Sequence, residues 1–432
     1  METFRAWIRS RLDRAGLYLC LLGGWTVLAM GIGVFSGLLG AAFHHSVHLA
    51  GIWREAHPAL LWLLPGAGLA IVALDRYLGT VGQGTNDILD EIHLGKGISP
   101  QLLPSVFVCT FLTHLCGGSA GREGAALQMG GVIGYHAGRL CCLDDAGRRS
   151  ATTAGMAAFF AALFGTPLAA TVFALTVVSV GRFYSADLLP SLTAALTACA
   201  MAWMLRVEPT RFAVSAPALG GWMLLRVIVL AAACALLSVL FCETVHGVRR
   251  VLKRRIPNPW LRGALGGGIV ILLTLLCGVR DYNGAGMEVL TAAVEQGAAR
   301  PGAFAWKLLF TAVTLGAGFK GGEVVPSFFV GATFGAFVGP FVGIPAPFAA
   351  SVGLVCVFCG ATNCPLASIF LAIELFGDGG LLYYAAACVL SYVLSGYSGL
   401  YSSQTIIYSK VRARYLNVHT NAHHLGEAEE LK

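Results

Sequence analysis

Gly121-Arg122-Glu123-Gly124, followed later by Pro167-Leu168-Ala169, has an echo in Lys320-Gly321-Gly322 followed by Pro365-Leu366-Ala367. Arg122 and Lys320, Gly124 and Gly322, Gly155 and Gly353, and Pro167 and Pro365 are each 198 residues apart. One such match is chance; four at one spacing predict two homologous halves. Charge predicts how the halves lie. The loop after the first motif carries Arg148 and Arg149, which favours the cytoplasm. Its counterpart at Ala346 and Pro347 lies in the stretch Gly343 to Phe348, which has no charge at all. One cytoplasmic loop and one external twin are the signature of an inverted repeat, an architecture that holds its substrate near the bilayer midplane.

The rest of the chain requires that bilayer. Of its 432 residues, 56% are hydrophobic and 12% charged, with a mean hydropathy of +0.73. Soluble domains carry about a quarter charged residues. The 55 glycines fit membrane helices packed closely through small residues. The net charge of +7 collects in flanks and loops. Arg5, Arg9, Arg11 and Arg14 precede the first apolar stretch, Lys410, Arg412 and Arg414 follow the last, and Arg249, Arg250, Lys253, Arg254 and Arg255 cluster between. The positive-inside rule puts all three groups, and so both termini, in the cytoplasm. A nucleic-acid partner is not expected of so apolar a chain. The 13 cysteines are scattered through apolar runs and read as small core residues, not metal ligands. The basic start leads into an apolar stretch with further membrane segments behind it, so it reads as a retained first helix and not a cleaved signal.

These features divide the chain into a cytoplasmic segment 1–18, a first membrane half 19–248, a basic cytoplasmic joint 249–256, a second half 257–416 and a cytoplasmic tail 417–432. Many apolar runs break at Gly or Pro before the ~20 residues a span needs. Leu102 to Cys116, Glu123 to Leu140 and Gly322 to Val342 are examples. Broken helices at membrane depth are tolerated only where protein or a wet cavity satisfies their ends. The expected fold is therefore an all-α polytopic membrane protein of tilted and partial helices.

Three Gly-rich turns open such helices: Gly82-Gln83-Gly84-Thr85-Asn86, Gly121-Arg122-Glu123-Gly124, and Lys320-Gly321-Gly322-Glu323-Val324-Val325-Pro326. The first turn of a helix has free N–H groups and a positive dipole end. Glycine lets an ion approach them, so converging helix starts can bind an anion. Glycines that merely ease helix packing are the alternative for any one turn; three turns, two of them repeat-related, favour the anion. A phosphate loop is excluded, because Gly121 to Gly124 lacks the GxxxxGK[ST] spacing.

The string Gly117-Gly-Ser-Ala-Gly-Arg-Glu-Gly124 resembles the (S/G)xGxEGP signature of the CLC family of chloride channels and anion/proton antiporters. Gly165-Thr-Pro-Leu-Ala169, its partner at Pro365 and the motif before Pro326 follow in that family's order, so the resemblance runs from Gly82 to Tyr401. There are departures. Gln83 stands where the family's GSGIP motif has a chloride-contacting serine, and Ala125 replaces the proline after GxEG. Glu323 adds a carboxylate to the GxFxP region. Thr176 and Val177 stand where chloride/proton antiporters have two glutamates. Arg-Glu-Gly-Ala-Leu-Gln-Met-Gly with Lys-Gly-Gly-Glu-Val is most similar to the bacterial fluoride/proton antiporter branch. Fluoride, small and strongly hydrated, needs dense donors, and the Gln83 amide offers two N–H groups where serine offers one O–H.

An ionisable group inside a membrane is functional by default, which singles out Glu123. At a helix start its carboxylate can occupy the anion site, and it can leave once protonated. A capping glutamate paired with Arg122 is the plainer alternative. Glu323 reads as a second gating or proton-coupling group, or as a partner of Lys320 three residues earlier. Tyr401 reads on its own as an interfacial anchor; the resemblance makes it the tyrosine whose hydroxyl faces the ion, just before a last helix. The expected anion-binding set is Gly82, Gln83, Gly84, Thr85, Gly121, Arg122, Gly124, Gly322, Val324, Val325 and Tyr401. Glu374 is expected to be structural. His44, His45, His48, His419, His423 and His424 lack carboxylate or cysteine partners at ligand spacing.

The expectation is a halide transporter, exporting fluoride by exchange for protons, without cofactor or metal. A chloride channel or chloride/proton antiporter is the nearest alternative. A membrane-embedded enzyme is disfavoured, since HExxH is absent. The resemblance implies a homodimer with one pathway per subunit, in a bacterial inner membrane. Because the sequence runs only a short way past Lys410, the nucleotide-sensing cytoplasmic domains that some relatives append are not expected.

Overall fold

The computed structural model describes residues 2–412 and 414–421, with side chains from Leu19 onward. His423, His424, the N-terminal arginines' side chains and the end of the expected tail lie outside the described residues. Sixteen α-helices appear among the described residues. The first eight are α1 (Glu2–Ala56), α2 (Leu64–Tyr77), α3 (Thr85–Leu94), α4 (Leu102–Leu115), α5 (Glu123–Leu140), α6 (Asp145–Phe164), α7 (Pro167–Val177) and α8 (Leu188–Met204). The second eight are α9 (Gly221–Arg255), α10 (Pro259–Cys277), α11 (Met287–Thr291), α12 (Ala303–Ala317), α13 (Val324–Val338), α14 (Ala346–Thr362), α15 (Pro365–Phe376) and α16 (Leu381–Leu394). Six segments among them are long and apolar enough to cross a membrane, and six more helices are apolar but shorter.

Local chemistry sets the helix ends. Asp144 caps α6 through its carboxylate, which accepts from Gly147 N at 2.8 Å, and the Asn258 amide oxygen accepts from Trp260 N of α10 at 3.0 Å. Proline sits at the start of α7, α10 and α15, where its missing N–H costs nothing. The equivalent ends of α6 and α14 close on left-handed Gly165 and Asn363. Arg148 and Arg149 prove to lie in the first turns of α6 and not in a loop.

The eight-helix unit occurs twice. α1 packs on α4, α6 and α8, and α9 packs in the same way on α12, α14 and α16. The tightest pairings are α5 with α6 and α13 with α14. There Gly130 faces Gly155, and Gly331 faces Gly353, backbone against backbone. With lipid as solvent, this close packing replaces the hydrophobic drive of a soluble core.

Three expectations are corrected by this arrangement. The halves do not divide at 249–256. That basic cluster is the last two turns of α9, a continuous helix that belongs with the second half. Positive charge marks where the helix leaves the membrane, and the joint is the non-helical stretch 207–220. Nor is the repeat offset uniform. The Gly130–Gly155 and Gly331–Gly353 contacts correspond only if α5 and α13 are offset by 201 residues while α6 and α14 keep 198. The first copy carries three extra residues between its paired helices. Arg122 is thus equivalent to Glu323, not to Lys320. Third, no helix follows Tyr401 among the described residues. A small sheet forms there, in the order β1 (Ser179–Val180), β2 (Thr405–Tyr408), β3 (Tyr415–His419), with β1 parallel and β3 antiparallel to β2.

The Thr-Ile-Ile-Tyr run of β2 suits a strand, and Gln404 before it ties helix ends together. Its amide donates to Val177 O at 2.9 Å and Thr362 O at 2.8 Å. Residues up to 421 are therefore packed and not a free tail: Thr420 Oγ1 donates to Tyr401 O at 2.5 Å and Asn421 Nδ2 to Gly399 O at 2.9 Å.

Candidate anion pathway

The three glycine turns do open helices, and two of them touch. Gly121 and Gly322 exchange N–H···O bonds of 2.8 Å in both directions, a single antiparallel bridge between equivalent positions of the two halves. It places the starts of α5 and α13 side by side. The approach needs glycine: a Cβ on Gly124 would lie 2.8 Å from Gly322 Cα.

Glu123, the first residue of α5, is 1% exposed. One carboxylate oxygen accepts from Arg122 N at 2.9 Å. The other lies 3.8 Å from Arg122 Nε yet makes no hydrogen bond. Glu123 thus folds back over Gly121 onto its own helix start. Arg122 is its charge partner and does not remove it to the surface.

Two cavities approach this junction from opposite directions. One, of about 730 Å³, ends on Arg122, Glu123 and Val325 and is walled by His44, His48, Arg54 and Glu288. The other, of about 330 Å³, ends on Gln83, Gly84, Thr85, Glu323 and Tyr401. Arg76, Arg249, Lys253 and Arg262 rim its mouth. Gly121, Gly124, Gly322 and Val324 line neither cavity and form the partition between them. Glu123 and Glu323 thus face opposite cavities.

Unsatisfied polar atoms gather at the partition. The carboxylate Oε1 of Glu123, the amide oxygens of Gln83 and Gln128 and the Tyr401 hydroxyl are all buried without hydrogen-bond partners. Buried polar atoms are paired as a rule, so these orphans, three on the Gln83 cavity and that of Glu123 on the other, mark the two cavity walls as places that take something else. Gln128 was not singled out from the sequence. It lies in α5 five residues after Glu123, where a glutamine within the apolar run from Gly124 to Ile133 was the available signal. Its Nε2 donates to Thr85 Oγ1 at 3.1 Å, tying α5 to α3.

Other residues separate from the pathway. Lys320 does not pair with Glu323; it meets Asp75 Oδ2 at 3.5 Å and donates to Gln83 O at 2.7 Å. Glu374 accepts from Leu168 N at 3.0 Å and Ala169 N at 2.8 Å, so it caps α7 from α15, a structural role. His44, His45 and His48 stand together on α1, with the His44 and His48 rings stacked at 6.4 Å. No group of three metal-binding side chains occurs among the described residues.

Paired inverted halves, broken helices meeting at a partition and a carboxylate between two cavities define a membrane transport protein of anion type. The chain belongs to the voltage gated chloride channel family, which matches over residues 66–396. It is 36% identical to a chloride/fluoride channel protein of Pseudomonas syringae pv. tomato, across 89% of this chain and 87% of that one. A voltage-gated ClC-type chloride channel ClcB of Salmonella dublin is 26% identical across 85% and 95%. The crystal structure of a CLC-type fluoride/proton antiporter shares the fold at a TM-score of 0.86, with 33% identity over 89% of this chain and 98% of that one.

Proposed function

We propose that the protein exports fluoride by exchanging it for protons, with Glu123 as the alternating plug and proton carrier. The observation that carries this reading is the Glu123 carboxylate, buried at a helix start between two cavities with one oxygen unpartnered. The similarity to a fluoride/proton antiporter supports the choice of ion. Val177, buried at the end of α7, cannot carry a proton, so the route on that side falls to Glu323 in the Gln83 cavity. The anion would be held by the N–H groups that open α3, α5 and α13, by the Gln83 amide and by the Tyr401 hydroxyl.

Gln83 is the group in this set that reads the ion. Gln83→Ser is expected to shift preference toward chloride, because losing an amide donor from a desolvated site costs about 1–3 kcal/mol of anion stabilisation. Fluoride and chloride efflux from reconstituted liposomes, each followed by electrode, gives the ratio. An unchanged ratio would mean this side chain does not read the ion. The same assay on the parent protein separates a fluoride exporter from a chloride channel, the second reading that the Salmonella relative supports.

The functional unit is proposed to be a homodimer in a bacterial inner membrane, with both termini and the Arg249–Arg255 end of α9 in the cytoplasm. The Gln83 cavity, rimmed by Arg249 and Lys253, is then the inner vestibule. In a cysteine-depleted background, Ala146→Cys at the start of α6 should react only with reagent added inside, and Ala346→Cys at the start of α14 only with reagent outside. Labelling of both from one side contradicts this orientation.

A further inference from the structure

The three turns that meet at the partition are not held alike. Those at Gly121 and Gly322 are locked to each other by two backbone hydrogen bonds, and a Cβ added to Gly322 would collide with main chain. The Gln83 turn has no such support. Gly79, Gly82 and Gly84 each have open space where a Cβ would stand, and Val81 is 58% exposed. Gly82, at φ +82°, also gives the turn a conformation that packing does not enforce.

Polar ties do the holding instead. Lys320, from the turn before α13, donates its ammonium to Gln83 O at 2.7 Å and lies 3.5 Å from Asp75 Oδ2 at the end of α2. The Asp75 carboxylate is itself fixed by Ser105 Oγ of α4 at 2.7 Å and Thr80 Oγ1 at 3.0 Å. Thr80 N returns to Asp75 O at 2.8 Å, and Gln83 N donates to Thr80 O at 3.1 Å. Asp75 is 8% exposed and the Lys320 side chain 13%. A cation from the second half thus clamps the Gln83 carbonyl of a first-half turn, which Ser403 N also holds farther along by donating to Asn86 Oδ1 at 3.1 Å.

We propose that Lys320 is the positioning residue for anion selectivity: its bridge from Asp75 to the Gln83 carbonyl fixes the height of the Gln83 turn against the Glu323 turn. This rests on the reading of the Gln83 cavity as the fluoride path. Fluoride loses a dense hydration shell only to donors already fixed in place, so a turn free to shift favours a larger, weakly hydrated anion. Loosening this one arm leaves the Gly121–Gly322 bridge and Glu123 undisturbed. Selectivity and proton coupling should therefore come apart.

The test measures fluoride and chloride efflux, and proton uptake per fluoride, in liposomes holding the full-length parent, Lys320→Met or Lys320→Arg. Lys320→Met is expected to lower the fluoride-to-chloride ratio about tenfold, which is ~1.4 kcal/mol, with proton uptake per fluoride kept. Lys320→Arg, whose guanidinium can span the same two oxygens, should keep most of the ratio. Lys320→Met leaves Asp75 buried without its cation; if that protein does not purify as one dispersed species, Lys320→Met/Asp75→Asn replaces it, with the same expected loss. An unchanged ratio in the folded variant overturns the proposal. So does a fall of both anion fluxes by one factor, which is the mark of a general attractor, or a Lys320→Arg protein as unselective as Lys320→Met. A parent protein that moves chloride alone is a different failure, that of the fluoride reading itself.

Discussion

Glu123→Gln should abolish proton uptake into liposomes driven by an outward fluoride gradient, down to the level of protein-free vesicles. The charged carboxylate is a tethered anion lying on the start of α5, with Arg122 N as its donor. It and fluoride compete for the same positive helix end. Fluoride entry displaces it, two negative charges being costly at one buried spot, and protonation lets it stay away. Glutamine copies the neutral side chain in size and cannot take up or release a proton. The variant is therefore fixed in one half of the cycle, and any remaining fluoride flux should lose its dependence on pH. Proton uptake and fluoride efflux are read from the same vesicles. Parent-rate proton uptake in Glu123→Gln would end the antiport mechanism proposed here.

The features that carry this argument were legible in the sequence because they are local. A glycine turn followed by a carboxylate in an apolar run states both a helix start and a buried charge, and Glu123 needed nothing else. The repeat was legible for the same reason at Pro167 and Pro365, each at the first position of a helix. What escaped depends on pairings between distant segments. Matching Arg122 to Lys320 looks sound from charge, yet backbone contact pairs Gly121 with Gly322 and so Arg122 with Glu323. Three extra residues after α5 had absorbed the difference. The Arg249–Arg255 cluster states that a helix leaves the membrane but says nothing of which half owns the helix; α12, α14 and α16 decide that. β2 escaped because its partners, Ser179–Val180 and Tyr415–His419, lie far away or past a basic turn. Lys320 stands three residues before a carboxylate, yet its partner is Asp75 on α2.

Gly322→Ala should cost more stability than any other single methyl group at the partition. A Cβ there would run into Gly124 N and stand 3.0 Å from Glu123 N and 3.2 Å from Gly124 Cα. All three are main-chain atoms, so no side-chain rotation relieves the clash. The two strands must part, and parting breaks both 2.8 Å bonds of the Gly121–Gly322 bridge. Inside a bilayer the freed groups find no water, and each unmade bond costs about 1–3 kcal/mol. Overpacking adds about 1–3 kcal/mol more, so a loss of roughly 3–9 kcal/mol is expected. The same methyl at Gly268 on α10 meets nothing within 4 Å, and Gly268→Ala should be neutral or slightly stabilising, since alanine suits a helix interior better than glycine. Heating both proteins in detergent and following the single-species peak by size-exclusion gives the comparison. A Gly322→Ala protein as heat-resistant as Gly268→Ala would show that the helix starts do not need this approach, and that the partition is held from elsewhere. If it survives in part, the damage should appear in transport: the starts of α5 and α13 would stand apart, Glu123 would lose the crowding of Gly121 and Gly322 beside it, and both anions would leak without protons.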